Sequence, residues 1–252
     1  MQNPVAPTTR TNSPQTASAT PSPTAEHIES TMRVVKRNGS TEAVDVNKIV
    51  RAVNRCCSGL SRVDALRVAT KTISGLYDRA STAELDRLSI QTASSLIGEE
   101  PEYAKLAARL LATYIDKEVT GQEIHAFSQS ISEGHRVGLI CDRLATFVRK
   151  NARKLNDAVD PRRSDAFEYF GLRTLYDRYL LKHPKKRFVL ETPQYFFLRI
   201  ACALAPDVGE ALELGIGLRN MLLKLATRHG GAHPGDDVLP LRVDQELAVE
   251  LL

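Results

Sequence analysis

Val34-Val35-Lys36-Arg37-Asn38-Gly39-Ser40-Thr41-Glu42-Ala43-Val44-Asp45, running on to Asn47-Lys48-Ile49, is the stretch whose reading decides the fold. Asn-Gly between two short β-branched runs is a local hairpin signal. Asp45 then reads as a helix N-cap ahead of the apolar series Ile49, Val53 and Cys56. A basic pair, a tight turn, a carboxylate and a lysine at the mouth of a helix suit a polyphosphate. The hairpin supplies charge, and the helix start supplies unpaired N–H groups.

The turn admits two registers. With a two-residue Asn-Gly loop, Lys36 faces Thr41 and Glu42 faces Val35, so Lys36 and Glu42 point to opposite sides of the ribbon. With a three-residue loop, Arg37-Asn38-Gly39, the glycine takes the left-handed conformation as a bulge. Lys36 then pairs with Ser40 and Val34 with Glu42, and all four project from one face. A single site can use both charges only in the second register, so the bulged turn, with Gly39 at positive φ, is the expected one.

A chain of 252 residues is long enough to bury a core of one or two domains. Its 42% hydrophobic and 25% charged residues are ordinary for a globular protein, and a net charge of +4 does not by itself point to nucleic acid. No apolar run is long enough to span a bilayer, so no membrane role is expected. Cys56, Cys57, Cys141 and Cys202 form neither a Cys-x-x-Cys nor a zinc spacing, which fits reduced thiols and a cytoplasmic location. Residues 1–31 are rich in Pro, Thr, Ser, Ala and Gln and read as a disordered tail. They carry no secretory signal, and with Arg10 as the one basic residue they make a poor transit peptide.

The rest reads as mainly α. Helices are expected over 47–58, closing near Gly59, and from a capping-box-like start at Ser61 to near Gly75. Ser81-Thr82-Ala83-Glu84 is a proper capping box, opening a helix with Leu85, Leu88, Thr92 and Leu96 on one face. Pro101 sits at the first turn of the next helix, whose stripe of Tyr103, Leu106, Ala107, Leu110 and Tyr114 ends at Gly121. That makes one small hairpin sheet and four helices over 32–121.

From 122 the pattern is helical again. Ile124, Phe127 and Ile131 mark one helix, and Leu144, Phe147 and Val148 another; Asp160-Pro161 then breaks the pattern. A helix over 167–181, a short strand at Phe188-Val189-Leu190, a helix opened by Thr192-Pro193 and a last one to about Thr227 complete it. Gly230, Gly231, Pro234 and Gly235 read as a loosely ordered end.

Taken alone, Lys36, Arg37 and Lys48 fit a solvated basic edge as well as a ligand site. Glu42 could be a cross-strand partner, Thr82 a capping residue beside Ser81, and Lys117 a cation meeting a helix dipole. The basic run Arg143, Arg149, Lys150, Arg153, Lys154, Arg162 and Arg163 lacks interleaved aromatics and reads as a solvated face, so no nucleic-acid partner is expected. The six histidines are scattered without metal-site spacing.

The opening stretch resembles the ATP-cone, the regulatory nucleotide-binding module at the N-terminus of many ribonucleotide reductase large subunits. The likeness continues through Tyr77-Asp78, Ser81-Thr82 and Pro101-Glu102-Tyr103-Ala104-Lys105-Leu106-Ala107-Ala108-Arg109-Leu110-Leu111. It goes on into Phe167-Glu168-Tyr169-Phe170-Gly171-Leu172-Arg173-Thr174-Leu175-Tyr176 and Glu191-Thr192-Pro193-Gln194, which look like the helical domain that follows the cone in class I enzymes. The resemblance implies nucleotide contacts at Lys36, Arg37, Glu42, Lys48, Thr82 and Lys117.

It also implies ATP or dATP as an allosteric effector, with Mg2+, and regulation of deoxyribonucleotide synthesis for DNA replication. Partners would be the reductase small subunit or further copies of the chain. The implied layout is a tail over 1–31, the cone over 32–121, the helical domain over 122–214 and a divergent tail over 215–252. No barrel motif follows, so no catalytic and no metal-binding residue is expected, and a chain ending before the barrel should be inactive in ribonucleotide reduction on its own. The alternative is a stand-alone nucleotide-responsive regulator or interaction module; the absence of a cysteine ribbon before Arg33 weighs against the zinc-ribbon form.

Overall fold

The hairpin takes the bulged register. In the computed structural model, which describes residues 32–228, strand β1 (Arg33–Val35) pairs antiparallel with β2 (Thr41–Ala43). Val34 lies opposite Glu42. Lys36 N donates to Ser40 O at 2.7 Å and Gly39 N to Lys36 O at 2.9 Å, closing a three-residue loop with Gly39 at φ +83°. The positive φ is why a glycine follows Asn38. A third segment extends this edge: Val35 N donates to Ala80 O at 3.0 Å and Arg79 N to Arg33 O at 2.7 Å. The sequence reading had not placed residues 79–81 beside the sheet. The expected tail over 1–31 and the glycine-rich end from Gly230 lie outside the described residues.

Four helices complete the first module. Asp45 caps α1 (Val46–Cys56) by accepting from Asn47 N, and Ser81 with Glu84 forms the expected reciprocal box at α3 (Thr82–Ser95). The start of α2 (Ala65–Ser74) differs from expectation. Asp64, not Ser61, is the cap, accepting from both Leu66 N and Arg67 N, because an N-cap must immediately precede the first helical residue. The second helix is therefore shorter than the Ser61 reading made it.

The axis of the molecule is α4 (Tyr103–Thr120). It packs against α1 and α3 on one side and against α8 (Tyr169–Arg178) and the 3-10 segment Pro161–Ala166 on the other. Burial on both sides explains why Leu106, Ala107, Ala108, Leu111, Ile115 and Val119 all leave water, where the sequence showed one stripe. At ~1.5–3 kcal/mol for each fully buried large aliphatic side chain, this helix is a main source of cohesion between the two modules.

The second module adds α5 (Phe127–Arg136), α6 (Asp142–Lys150), α7 (Ala152–Asp157), α9 (Pro193–Leu204) and α10 (Val208–Arg228). Thr192 caps α9 with Pro193 at its first turn, as expected. The helix expected over 167–181 is shorter, and the expected strand at Phe188-Val189-Leu190 is a single bridge, Lys182 to Val189. One cause serves both. The chain reverses after α8, with His183 N donating to Phe188 O and Leu190 N to Leu181 O, both at 2.8 Å, so residues beyond Arg178 are drawn out of the helix. Glu191, fully buried, holds this reversal: it accepts from Leu181 N at 2.8 Å and from Arg199 Nε and Nη2 at 2.8 and 3.0 Å.

Candidate functional site

Between the hairpin, α1, α3 and α4 lies a cleft of about 590 Å3. Its hairpin and α1 walls include Val34, Val44, Ile49 and Val53; Leu85 and Thr82 come from α3, and Ala112, Thr113, Asp116 and Lys117 from α4. Ser164 and Asp165 of the 3-10 segment close one end. The lining mixes apolar side chains with charges, Glu42, Lys48 and Lys117 toward the hairpin and Arg109 and Asp165 toward the 3-10 segment.

Two carboxylates organise those charges. Glu42 lies 2.7 Å from Lys36 Nζ and 3.3 Å from Lys48 Nζ. The Lys36 ammonium, with Lys48 next, holds the Glu42 carboxyl below the usual carboxylate range. Asp86, on α3, lies 3.2 Å from Arg37 Nη2 and 2.8 Å from Lys117 Nζ. Lys36, Arg37, Lys48 and Lys117 thus meet Glu42 and Asp86 at one end of the cleft, whose lining also includes the carboxylates of Asp45 and Asp116. These pairs are partly exposed, and such pairs typically contribute only ~0–1 kcal/mol each to stability. They do little to hold the fold.

All six residues expected at the site gather at this end, in two ways. Glu42, Lys48, Thr82 and Lys117 line the cleft itself. Lys36 and Arg37 stand at its rim through their ion pairs with Glu42 and Asp86. Ser81 does the capping of α3, accepting from Glu84 N at 3.1 Å, so the Thr82 hydroxyl is not spent on the helix start. Lys117, near the end of α4, points at Asp86.

The sequence reading missed Asp86, Asp116 and the far wall. Asp86 had a legible signal, since it follows Thr82 by four residues on a helix and so shares its face. Asp116 has solvent access yet is crowded by the cleft walls, and this partial desolvation pushes its carboxyl up to about 6. Arg109 stands at the far end, where its Nη1 donates to Cys56 O at 3.0 Å and Ser58 O at 2.6 Å. Its Nε lies 3.9 Å from Asp165 Oδ1, tying the first module to the 3-10 segment.

The hairpin, α1, α3 and α4 thus line a cleft with paired cations and carboxylates at one end, and α4 joins them to the further helices. In comparison with known families, residues 32–118 match the ATP cone domain and residues 165–229 match the all-alpha domain of ribonucleotide reductase. The second match runs past Leu214, where the likeness was expected to end, and α10 is continuous across that point.

Over 189 residues the chain is 36% identical to the ribonucleoside-diphosphate reductase large subunit of Caenorhabditis elegans, covering 71% of this chain and 24% of that protein. It is 34% identical over 194 residues to large chain 2 of the Saccharomyces cerevisiae enzyme, covering 72% and 22%. It is 32% identical over 199 residues to the large chain of Schizosaccharomyces pombe, covering 76% and 24%. The chain thus spans about a quarter of the length of the curated relatives it matches. No described helix is long and apolar enough to cross a membrane.

Proposed function

We propose that the cleft binds ATP or dATP as an allosteric effector and that this region regulates a ribonucleoside-diphosphate reductase, and through it deoxyribonucleotide synthesis. The observation that carries the reading is the pair of carboxylate-bridged cation sites, Lys36–Glu42–Lys48 and Arg37–Asp86–Lys117, at one end of the cleft. In it, Lys36, Arg37, Lys48 and Lys117 take the polyphosphate, Thr82 offers its hydroxyl beside the start of α3, and Val34, Ile49 and Val53 flank the base. Glu42 keeps Lys36 and Lys48 oriented between ligands.

Mg2+ enters with the polyphosphate, where it would screen the phosphate charge. Among the described residues no group of three acidic, histidine or cysteine side chains is placed to hold a metal alone. Assembly with a reductase small subunit or with further copies of the chain is the expected consequence of occupancy, by virtue of the relatives' identity.

Titration calorimetry with ATP and dATP, with and without Mg2+, tests the reading. Both should bind, and Lys36→Ala should weaken dATP at least tenfold, in keeping with ~1.5–3 kcal/mol for a charge-assisted bond, while the far-ultraviolet helical signal stays intact. A wild-type chain that binds neither nucleotide defeats the proposal. Unchanged affinity in Lys36→Ala removes Lys36 from the site.

A further inference from the structure

Tyr114 lies behind the cation end of the cleft, on the buried side of α4, and is 4% exposed. Three groups converge on it. The Arg37 guanidinium carbon stands 5.0 Å from its ring centroid. Arg87, one residue after Asp86, donates to its hydroxyl from Nε at 3.1 Å and from Nη2 at 2.9 Å. Tyr176 of α8 meets it edge to face, with centroids 6.1 Å apart and planes at 76°. Tyr176 in turn donates to Glu118 Oε2 at 3.1 Å, and Glu118 Oε1 accepts from Val189 N at 3.1 Å. A continuous run of contacts therefore leads from the tip of the hairpin, through one aromatic ring, to the second module.

Arg37 is the first residue of the loop, and its side chain is long and flexible. Its ion pair with Asp86 is partly exposed, at 28% and 22% of the two side chains, and such a pair alone restrains a long side chain weakly. A guanidinium lying over an aromatic face gains a second restraint that does not consume its N–H groups. Only one Arg37 nitrogen is engaged by Asp86, at 3.2 Å, so the stacked guanidinium keeps further donors for an incoming phosphate.

We propose that Tyr114 is a positioning residue of the effector site. Its ring face pre-orders Arg37 for phosphate, and its contact with Tyr176 makes effector affinity depend on the packing of α8. This rests on the effector reading above, and the test separates the two. The experiment is calorimetric titration of the full chain with dATP, run as a double-mutant cycle.

Tyr114→Leu is expected to weaken dATP about three- to tenfold, the size of a partly desolvated cation–π contact. In an Arg37→Ala background the same change should alter affinity less than about 1.5-fold, because the group it positions is gone, whereas in a Lys36→Ala background it should keep its full effect. Tyr114→Phe, which restores the ring face, should recover most of the loss. Tyr176→Leu should weaken dATP about two- to threefold, again only while Arg37 is present.

A merely structural tyrosine would lower thermal stability without coupling to Arg37. Should Tyr114→Leu fail to fold, Tyr114→Met, which fills most of the same volume, replaces it in the cycle. If the wild-type chain binds no nucleotide, the effector reading fails. If it binds and Tyr114→Leu has wild-type affinity, or loses equally with and without Arg37, the positioning role fails. Wild-type affinity in Tyr176→Leu removes the link to α8.

Discussion

Replacing Gly39 by alanine isolates one term of the hairpin's energetics. Gly39 sits at φ +83°, and a Cβ built on it meets no atom within 4 Å. No clash with the rest of the protein can contribute, so the loss is the intrinsic cost of a left-handed L-residue. That cost is ~1–2 kcal/mol, offset by the ~0.4–1 kcal/mol that alanine gains by restricting the unfolded chain. The net expectation is a destabilisation of about 1 kcal/mol, which for a chain of this size lowers Tm by about 2–4 °C. Urea denaturation followed by circular dichroism should show a lower midpoint at unchanged slope. Gly39→Asn should lose less, because Asn tolerates this conformation.

Gly138 gives the control. At φ +80°, also with no atom near its Cβ, it lies between α5 and α6, far from the hairpin in the chain. Gly138→Ala should cost a similar amount of stability and leave dATP affinity unchanged. Gly39→Ala should weaken dATP as well, because the bulge sets the spacing of Lys36 and Glu42. A Gly39→Ala chain as stable as wild type, or a Gly39→Asn chain as damaged as Gly39→Ala, would refute the reasoning from backbone strain.

Three further outcomes follow from burial. Glu191→Ala should destabilise by ~3–5 kcal/mol, since it strands the partly buried Arg199 guanidinium without its carboxylate and frees Leu181 N; a loss under ~1 kcal/mol by denaturant titration would count against that network. The Asp116 carboxyl, pushed up to about 6 from an ordinary 3.8, is protonated in the native chain at pH values where the unfolded chain has already lost the proton. Its contribution is therefore lost as pH rises through about 6, and Asp116→Asn should stabilise by about 1 kcal/mol at pH 7, after allowance for solvent access, with little effect near pH 4; equal effects at both pH values would contradict the assignment. Maleimide at pH 7 should label exposed Cys141 first, whereas burial pushes the Cys57 thiol up to about 11 and Cys202 up to about 12; peptide mass spectrometry showing Cys202 modified at the same rate in native protein would disprove it.

What the sequence by itself determined is what short-range physics controls. The bulged register follows from Arg37-Asn38-Gly39 and from the need for Lys36 and Glu42 on one face, because turn geometry and strand alternation act within a few residues. The caps at Asp45, Ser81 and Thr192 are equally local, each a side-chain oxygen meeting an N–H two or three residues away. The Ser61 reading failed within this same local range, because Asp64 offered a better-placed carboxylate.

Tertiary structure decided the rest. Asp86 could be put on a helical face with Thr82, but its sharing by Arg37 and Lys117 depends on how the hairpin, α3 and α4 come together. Tyr114 read as one member of an apolar stripe, and only the approach of Arg37 from the hairpin and Tyr176 from α8 shows it at a junction. The shortened α8 and the single bridge at Val189 likewise follow from a chain reversal held by buried Glu191 and Arg199. The Asp86 and Tyr114 contacts join groups far apart in the chain, brought together as the hairpin, α3 and α8 pack around α4, whereas the reversal joins groups within about ten residues through a buried ion pair that no helix or strand preference encodes.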